Sequence, residues 1–294
     1  MKVGFVGTGI MGTPMALNIL KRGHQVVAYN RTPEKTAPLR DAGATVATSL
    51  LDLSDVDVLM TVIADGRAEQ SVIFDSGLID RLSTRSIHVS CTTLGVDHAR
   101  QLTTEHNKRG RIFVTAPVLG RAVDMAAEGK LFVIAAGPAK GLEQCAPLFE
   151  AVGQRTFVFG ENPVSAVAAK LAISFLVVSS IESMSEAFAL TSQYGVRRAD
   201  FYEFFTNTLF ATPTYKAYGK LIERDTFVPA NFVVSLGLKD VKMALDASER
   251  VNLAMPIANV ARDHLIQALA QGYADHDWSV IGRVVANALV PPKK

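Results

Sequence analysis

Cysteine is scarce in this chain, since only Cys91 and Cys145 occur among its 294 residues. Two cysteines provide neither a disulfide framework nor a thiolate metal cluster, and such usage is typical of a reducing cytoplasm. The six histidines are scattered, and Asp275-His276-Asp277 is the densest group of metal-ligating residue types. We expect that triplet to be a solvated loop. The sequence therefore predicts a cytoplasmic protein without a metal site.

The chain also lacks an excess of charge of one sign. Its 30 Lys and Arg face 28 Asp and Glu, interspersed along the sequence. No basic patch for nucleic acid or a membrane surface follows from that distribution, so we predict neither partner. The longest apolar run, Leu171–Ile181, contains serines and is shorter than the roughly 20 residues that span a bilayer. A strand is predicted from residue 2 onward, so no signal peptide is expected.

What the sequence does have is a glycine-rich turn near its start. The apolar run Lys2–Val6 predicts a strand, and the sequence GTGIMG (residues 7–12) and a helical segment follow it directly. A strand, a tight turn and a helix start together hold a dinucleotide pyrophosphate, because the helix N–H groups face the anion. The three glycines permit the sharp turn, the approach to the phosphates and the close packing of the helix. We assign to cofactor binding Gly7, Gly9, Ile10, Met11 and Gly12.

The end of the second predicted strand, Gln25–Tyr29, indicates which dinucleotide binds. An acidic residue there would bind the 2′-hydroxyl of NAD, whereas this chain has Asn30, Arg31 and Thr32. Arg31 suits a 2′-phosphate in fork geometry, and Thr32 adds a hydroxyl. We predict NADP(H) in preference to NAD(H). The alternative is that Arg31 is only a solvated turn residue.

Strands and helices alternate through the first half of the chain. Apolar strand segments occur at 2–6, 25–29, 56–63, 86–90, 112–116, 130–136 and 156–159. This alternation predicts an α/β fold, with a Rossmann-type, doubly wound and mostly parallel sheet over residues 1–160.

The second half is predicted to be helical. Asn162 and Pro163 have the residue types of an N-cap and a first helical position, and no Gly or Pro follows before Gly195. We predict a long inter-domain helix over 161–194, then an all-α domain over 195–294 for substrate binding and dimerisation. The helix would be about 48 Å long and apolar on much of its surface. Since one subunit does not cover such a surface, we predict a homodimer or tetramer.

Four motifs, in order, resemble the β-hydroxyacid dehydrogenase family, which includes 3-hydroxyisobutyrate dehydrogenases, tartronate semialdehyde reductases and glyoxylate/succinic semialdehyde reductases. They are GFVGTGIMG (4–12), TAPVLGR (115–121), Lys170 and Lys239-Asp240. The resemblance covers nearly the whole chain, and its first half is similar to the NAD-binding domain of 6-phosphogluconate dehydrogenase.

The resemblance implies roles for single residues. Lys170 would be the catalytic acid or base, and Lys239 would approach the nicotinamide end of the cofactor. Lysine suits hydride transfer, because it stabilises and protonates the oxygen on which negative charge develops. Thr93, with Thr92 beside it, would contact cofactor and substrate, and Ile63-Ala64 would border the cofactor. Asp65 is expected to cap the next helix, Asp240 to orient or cap its own helix, and Cys91 to pack.

Two departures from the family pattern bear on the substrate. The family has Ser-Gly-Gly after Ala-Pro-Val, where this chain has Leu119-Gly120-Arg121. The family also has an asparagine one helical turn after the lysine, where this chain has Ser174. The backbone at Gly120 and the Ser174 hydroxyl would still bind substrate, and Leu119 makes the pocket more apolar. Arg121 either binds a substrate carboxylate or points to solvent.

The sequence thus predicts an NADP(H)-dependent dehydrogenase or reductase that acts on a small aldehyde or β-hydroxyacid. Two alternatives remain open. An imine reductase is favoured by Leu119 and Ser174 and disfavoured by Lys170. A non-catalytic NADP-binding regulator is permitted by the altered pocket motifs.

Overall fold

The computed structural model describes residues 1–288, apart from the side chains of residues 122 and 123. The chain divides into two compact units, Met1–Lys170 and Leu171–Lys294. The end of the predicted all-α domain, residues 289–294, lies outside the described residues.

A six-stranded parallel sheet forms the centre of the first unit. Its strands are β1 Lys2–Val6, β2 Gln25–Tyr29, β3 Thr45–Val46, β4 Val58–Thr61, β5 Ile87–Ser90 and β6 Ile112–Thr115. They lie in the order β3-β2-β1-β4-β5-β6, and every neighbouring pair is parallel. The order of the strands reverses beside β1, and ligands bind at the carboxyl ends of the strands at such a point. The predicted doubly wound sheet is confirmed.

Helices cover both faces of this sheet. They are α1 Gly12–Lys21, α2 Ala37–Asp41, α3 Gly66–Gln70, α4 Leu78–Arg81, α5 Val96–Lys108 and α6 Ala139–Val152. Successive strand side chains point to opposite faces, so Phe5 and Val6 on β1 enter two different apolar clusters. Burial on both faces explains why these strands are continuous apolar runs in the sequence.

The last strands of the first unit form a second sheet, where the sequence predicted one mostly parallel sheet. They are β7 Val118–Leu119, β8 Leu131–Ala135 and β9 Gly153–Val158; β7 is antiparallel to β8, and β9 is parallel to it. Assigning segments 130–136 and 156–159 to the first sheet was wrong, because hydrophobic pattern alone does not choose a strand's neighbour. The two-residue strands β3 and β7 were missed because they are too short to show a period.

The second unit is helical, as predicted. The helices that form it are the second part of α7 Pro163–Gln193, then α8 Arg198–Thr206, α9 Pro213–Arg224, α10 Val234–Glu249, α11 Pro256–Ala270 and α12 Ile281–Asn287. The amide of Val164 donates to the side-chain oxygen of Asn162 at 3.1 Å, which confirms the predicted N-cap of α7. By length and composition alone, α7 is apolar enough to cross a membrane, which counting only Leu171–Ile181 did not show. The core helix of a soluble protein meets the same test, so this is a weak indication.

Aromatic packing fills the core of the second unit. Phe188 on α7 and Phe205 on α8 meet edge to face, 5.8 Å apart between ring centroids. A Cβ at Gly237 would lie 2.6 Å from the ring of Trp278, so this glycine lets the indole pack directly on α10. The solvated loop expected around Asp277 is wrong, since its side chain is fully buried and accepts from the amides of Asn231 and Phe232.

Candidate functional site

In the turn between β1 and α1, two of the three glycines are tightly packed and the third borders open space. Gly7 has φ +99°, and a Cβ there would lie 2.2 Å from the carbonyl oxygen of Val62. A Cβ at Gly12 would lie 1.9 Å from the carbonyl oxygen of Gly7. A Cβ at Gly9, by contrast, would meet no described atom within 4 Å. Only glycine fits at the first two positions, and the third leaves space beside the backbone.

The residues of this turn fit a bound pyrophosphate. Thr8 is buried, and its hydroxyl oxygen has no hydrogen-bond partner among the described residues. No acidic residue lies in the first turn of α1, so the helix N-terminus favours an anion. An unpaired buried hydroxyl and the open space at Gly9 provide a donor and room for phosphate oxygens.

Asn30 joins this turn to the end of β2. Its side-chain oxygen accepts from the Thr8 amide at 3.1 Å, and its side-chain nitrogen donates to the Thr32 carbonyl at 2.9 Å. Both ends of the amide are therefore engaged within the protein. Arg31 and Thr32 are exposed at the same strand end, where both side chains are accessible to a ligand.

The loops after β4 and β5 are joined by a threonine hydroxyl. The amide of Ile63 donates to the Thr92 oxygen at 3.2 Å, and the Thr92 hydroxyl donates to Glu69 at 2.9 Å. Thr92 is buried, whereas its neighbour Thr93 is half-buried and Ala64 is exposed. The inward direction of the Thr92 hydroxyl gives it a structural role that sequence reasoning missed. Substrate binding by Thr92 and Thr93 stays a prediction.

Asp65 and Cys91 have the local roles that were expected. The Asp65 carboxylate accepts from the amides of Arg67 and Ala68 at 3.0 and 2.9 Å, which confirms it as the N-cap of α3. Cys91 is buried, and burial raises the pKa of its thiol. A buried cysteine with a raised pKa is inert, as expected of a packing residue.

Lys170 lies against the segment that carries the second family motif, residues 115–121. Its Nζ donates to the carbonyl oxygen of Val118 at 3.0 Å, and the side chain is half-buried. The hydroxyl of Thr115, at the start of the same motif, donates to the Pro163 carbonyl at 2.5 Å and holds the first turn of α7. The structure thus brings together Lys170 and residues 115–121, which are about 50 positions apart in the chain.

Arg121 forms an ion pair with Asp124, three residues further along the chain. Its guanidinium pairs with Asp124, and this hydrogen bond lowers the pKa of the Asp124 carboxyl. The Arg121 side chain is 53% exposed. Gly120 beside it has φ +145°, and a Cβ there would lie 2.7 Å from the side chain of Leu131. Glycine is required at 120, while Leu119 is half-buried in β7.

Ser174 and Lys239 converge on one buried carboxylate in the second unit. The Ser174 hydroxyl donates to Asp240 at 3.4 Å, and Nζ of Lys239 lies 3.7 Å from the other carboxylate oxygen. Asp240 lies inside α10, so the expectation that it caps this helix is wrong. Its carboxylate instead orients two predicted site residues.

The glycine turn and the order of the parallel strands define the class, a protein with a dinucleotide-binding domain. Residues 2–160 match the family model described as the NAD binding domain of 6-phosphogluconate dehydrogenase. Residues 165–285 match the one described as the NAD-binding of NADP-dependent 3-hydroxyisobutyrate dehydrogenase. The chain belongs to the β-hydroxyacid dehydrogenase family, as the sequence motifs predicted.

Individual relatives agree with this assignment. The chain is 38% identical to the uncharacterized oxidoreductase YfjR of Bacillus subtilis, over 96% of this chain and 98% of that protein. It is 28% identical to glyoxylate/succinic semialdehyde reductase 1 of Arabidopsis thaliana, over 96% and 97%. The structure of Mycobacterium tuberculosis 3-hydroxyisobutyrate dehydrogenase with L-serine has the same fold. Its TM-score is 0.88 at 22% identity, and the match covers 97% of this chain and 98% of that one.

Proposed function

We propose that this protein is an NADP(H)-dependent enzyme that interconverts a small aldehyde and a β-hydroxyacid, with Lys170 as the acid or base. The contact of Lys170 with Val118 supports the proposal, because Nζ lies against the segment that the family resemblance assigns to the substrate. The similarity to a glyoxylate/succinic semialdehyde reductase supports a small aldehyde as substrate.

In this reaction the protein contributes charge stabilisation and proton transfer. When bound, the cofactor supplies or accepts the hydride. In reduction, Lys170 stabilises the negative charge on the carbonyl oxygen, gives that oxygen a proton and is reprotonated from water. In oxidation, the neutral amine takes the hydroxyl proton. The Val118 carbonyl holds Nζ in place, so the group is oriented before substrate arrives.

NADP(H) is the proposed cofactor because Arg31 is exposed at the end of β2 and Asn30 is not acidic. An arginine fork pairs with a 2′-phosphate, which NAD(H) lacks. Arg31→Gln should raise the Kd for NADPH about tenfold and leave that for NADH unchanged. Arg22→Gln, at an exposed arginine after α1, is the matched control. Equal effects of Arg31→Gln on both cofactors would contradict the NADP(H) assignment.

The substrate is proposed to be held by Thr93, the Gly120 backbone and Ser174. A panel tests this: NADPH oxidation with glyoxylate, succinic semialdehyde, methylmalonate semialdehyde, tartronate semialdehyde, an apolar aldehyde and a cyclic imine. Turnover of an acidic semialdehyde supports the dehydrogenase. Preference for the imine would favour the imine reductase that Leu119 and Ser174 suggested. Tight NADPH binding without turnover would favour a regulator.

A second copy of the chain is proposed to cover α7. Leu176 and Leu190 on this helix are 57% and 61% exposed. Exposed leucines on an apolar helix mark an interaction surface, and closed dimers are the commonest arrangement. Sedimentation should show a dimer or tetramer at micromolar concentration, and Leu190→Glu should shift it toward monomer. A monomeric wild type would contradict this. The buried, reduced cysteines support a cytoplasmic location, which cell fractionation tests.

A further inference from the structure

We propose that Glu69 is a positioning residue for the cofactor, acting through Thr92 on the two loops that follow β4 and β5. The inference rests on the proposed function, because it assumes that a dinucleotide lies across these loops. Neither the family motifs nor the acid–base chemistry of Lys170 uses this carboxylate.

Glu69 lies on α3, and its side chain is fully buried. One carboxylate oxygen accepts from the Thr61 hydroxyl at 2.5 Å, at the last residue of β4. The other accepts from the Thr92 hydroxyl at 2.9 Å, two residues after β5. The two oxygens therefore reach the carboxyl ends of two adjacent parallel strands, which form the edge where dinucleotides bind in such sheets.

The direction of the Thr92 hydroxyl is the step that connects Glu69 to the loops. A hydroxyl has one hydrogen, and the carboxylate oxygen of Glu69 accepts it. The oxygen of Thr92 is then free to accept from the amide of Ile63, at 3.2 Å. Without Glu69 the hydroxyl would rotate, and the bond between the loops would lose its fixed geometry. Ile63 and Thr93 border this bond, and both are predicted to contact the cofactor.

His88, with His106 stacked against it, packs against the buried Glu69 carboxylate on the side away from Thr92. The Leu102 carbonyl only accepts, so Nδ1 of His106 carries the proton that it donates at 2.7 Å. Nε2 of His106 then accepts from Nδ1 of His88 at 3.0 Å. Nε2 of His88 faces Glu69 at 3.2 Å. In this arrangement Nδ1 of His88 and Nδ1 of His106 both donate away from Glu69, toward the Leu102 carbonyl, and the two stacked imidazoles pack behind the carboxylate that accepts from Thr92.

If Glu69 only stabilised the fold, an apolar side chain at this position would be sufficient. Buried ionisable groups are costly to desolvate, and well-packed apolar residues of similar volume are often as stable. Apolar side chains, however, do not orient a hydroxyl. The network spans α3, β4, β5 and α5 and points at the cofactor edge, which is the arrangement expected of a device that fixes loop geometry.

The test compares two substitutions at Thr92. Thr92→Val keeps the shape and removes the hydroxyl, whereas Thr92→Ser keeps the hydroxyl. The Kd for NADPH, measured by fluorescence titration of the folded protein, should rise about tenfold in Thr92→Val, as for the loss of one buried hydrogen bond. It should stay within about twofold in Thr92→Ser. Thr103→Val is the matched control, because this hydroxyl on α5 donates to the Ala99 carbonyl one helical turn before it, and the variant should leave Kd unchanged.

Glu69→Gln and Glu69→Leu complete the comparison. A glutamine retains an acceptor for Thr92 and a donor for His88, so its Kd should change less than about threefold. Leucine should match Thr92→Val. If Glu69→Leu does not fold, the comparison of Thr92→Val with Thr92→Ser still tests the positioning role. Amide hydrogen exchange at Ile63 in the cofactor-free protein should quicken in Thr92→Val and remain slow in Thr92→Ser.

Equal Kd values for Thr92→Val and Thr92→Ser would overturn the positioning role. A lower melting temperature of Thr92→Val with an unchanged Kd for NADPH would also overturn it, because that result is expected if Thr92 contributes only to packing. Failure of the wild type to bind either dinucleotide would overturn both proposals. Binding of NADPH without turnover of any carbonyl would count against the proposed function only, since the Kd comparison would still judge Glu69.

Discussion

The two units differ in what they bury. The first unit places a carboxylate, two imidazoles and two hydroxyls beneath the carboxyl ends of its strands, all nearly inaccessible to solvent. The core of the second unit is built largely from aromatic and aliphatic side chains, such as Phe188, Phe205 and Trp278. Hydrogen bonds are directional and apolar burial is not. The first unit therefore fixes loop positions beneath its strand ends, while the second relies mainly on apolar packing between helices, with Asp277 as a buried carboxylate that holds the backbone before α10.

Glu182 and His264 form a further polar pair in the second unit that limits this contrast. The side chains of Glu182 on α7 and His264 on α11 share a hydrogen bond of 2.8 Å between Oε1 and Nδ1. Burial raises the pKa of the Glu182 carboxyl, and the neighbouring His264 opposes that change. The pair joins α7 and α11 directly, so it serves the packing of these two helices.

The largest effect is expected in the apolar core. Phe188→Ala should lower the free energy of unfolding by about 3–5 kcal/mol, because it leaves a cavity that aromatic neighbours do not fill. Gln193→Ala, five residues on at the exposed end of the same helix, should change it by less than about 0.5 kcal/mol. Urea denaturation of both variants checks this. Similar losses at both positions would break the contrast between core and surface of α7.

A smaller effect separates two glycines of the cofactor turn. Gly12→Ala should lower the free energy of unfolding by more than about 2 kcal/mol, since the new methyl would meet the Gly7 carbonyl. Gly9→Ala should leave unfolding nearly unchanged, because its methyl meets no described atom. It should nevertheless raise the Kd for NADPH about tenfold by occupying the space for phosphate. Thermal melts and titrations measure both, and unaltered NADPH binding by Gly9→Ala would refute the assigned phosphate site.

Per pH unit, the smallest effect concerns the acid stability of the polar network. Burial lowers the pKa of His106 from its ordinary 6.5 to about 3. Between these values the unfolded chain binds the proton and the folded chain does not, so stability falls as the pH drops from about 6.5 to about 3. The slope from this group is at most about 1.4 kcal/mol per pH unit. His106→Gln, which has no titrating ring, should reduce the slope of unfolding free energy against pH, and an unchanged slope would contradict the assignment.

Much of the first unit could be predicted because its determinants are local. The turn at 7–12 needs glycine at fixed positions, and the N-caps Asn162 and Asp65 are signalled by residues within three positions of each other. The second sheet could not be predicted in this way. Its two-residue strand β7 has no period, and pairing between residues 118–119 and 132–133 depends on tertiary context.

The buried network escaped prediction for a related reason. Glu69, His88 and His106 are separated by 19 and 18 positions, and each alone has the ordinary residue type of a surface helix or strand. One signal was available: His88 interrupts a strand that is buried on every residue. A polar residue in a fully buried strand requires partners, but the sequence does not name them.

The central claim is that Lys170 provides acid–base catalysis on a bound small carbonyl compound. Single-turnover oxidation of enzyme-bound NADPH by the best substrate of the panel tests it most directly, in wild type, in Lys170→Ala and in Lys140→Ala as an exposed-lysine control. The account predicts a rate at least about 100-fold lower in Lys170→Ala alone, with an unchanged Kd for NADPH and partial recovery on addition of methylamine. A Lys170→Ala rate equal to that of the wild type would contradict it.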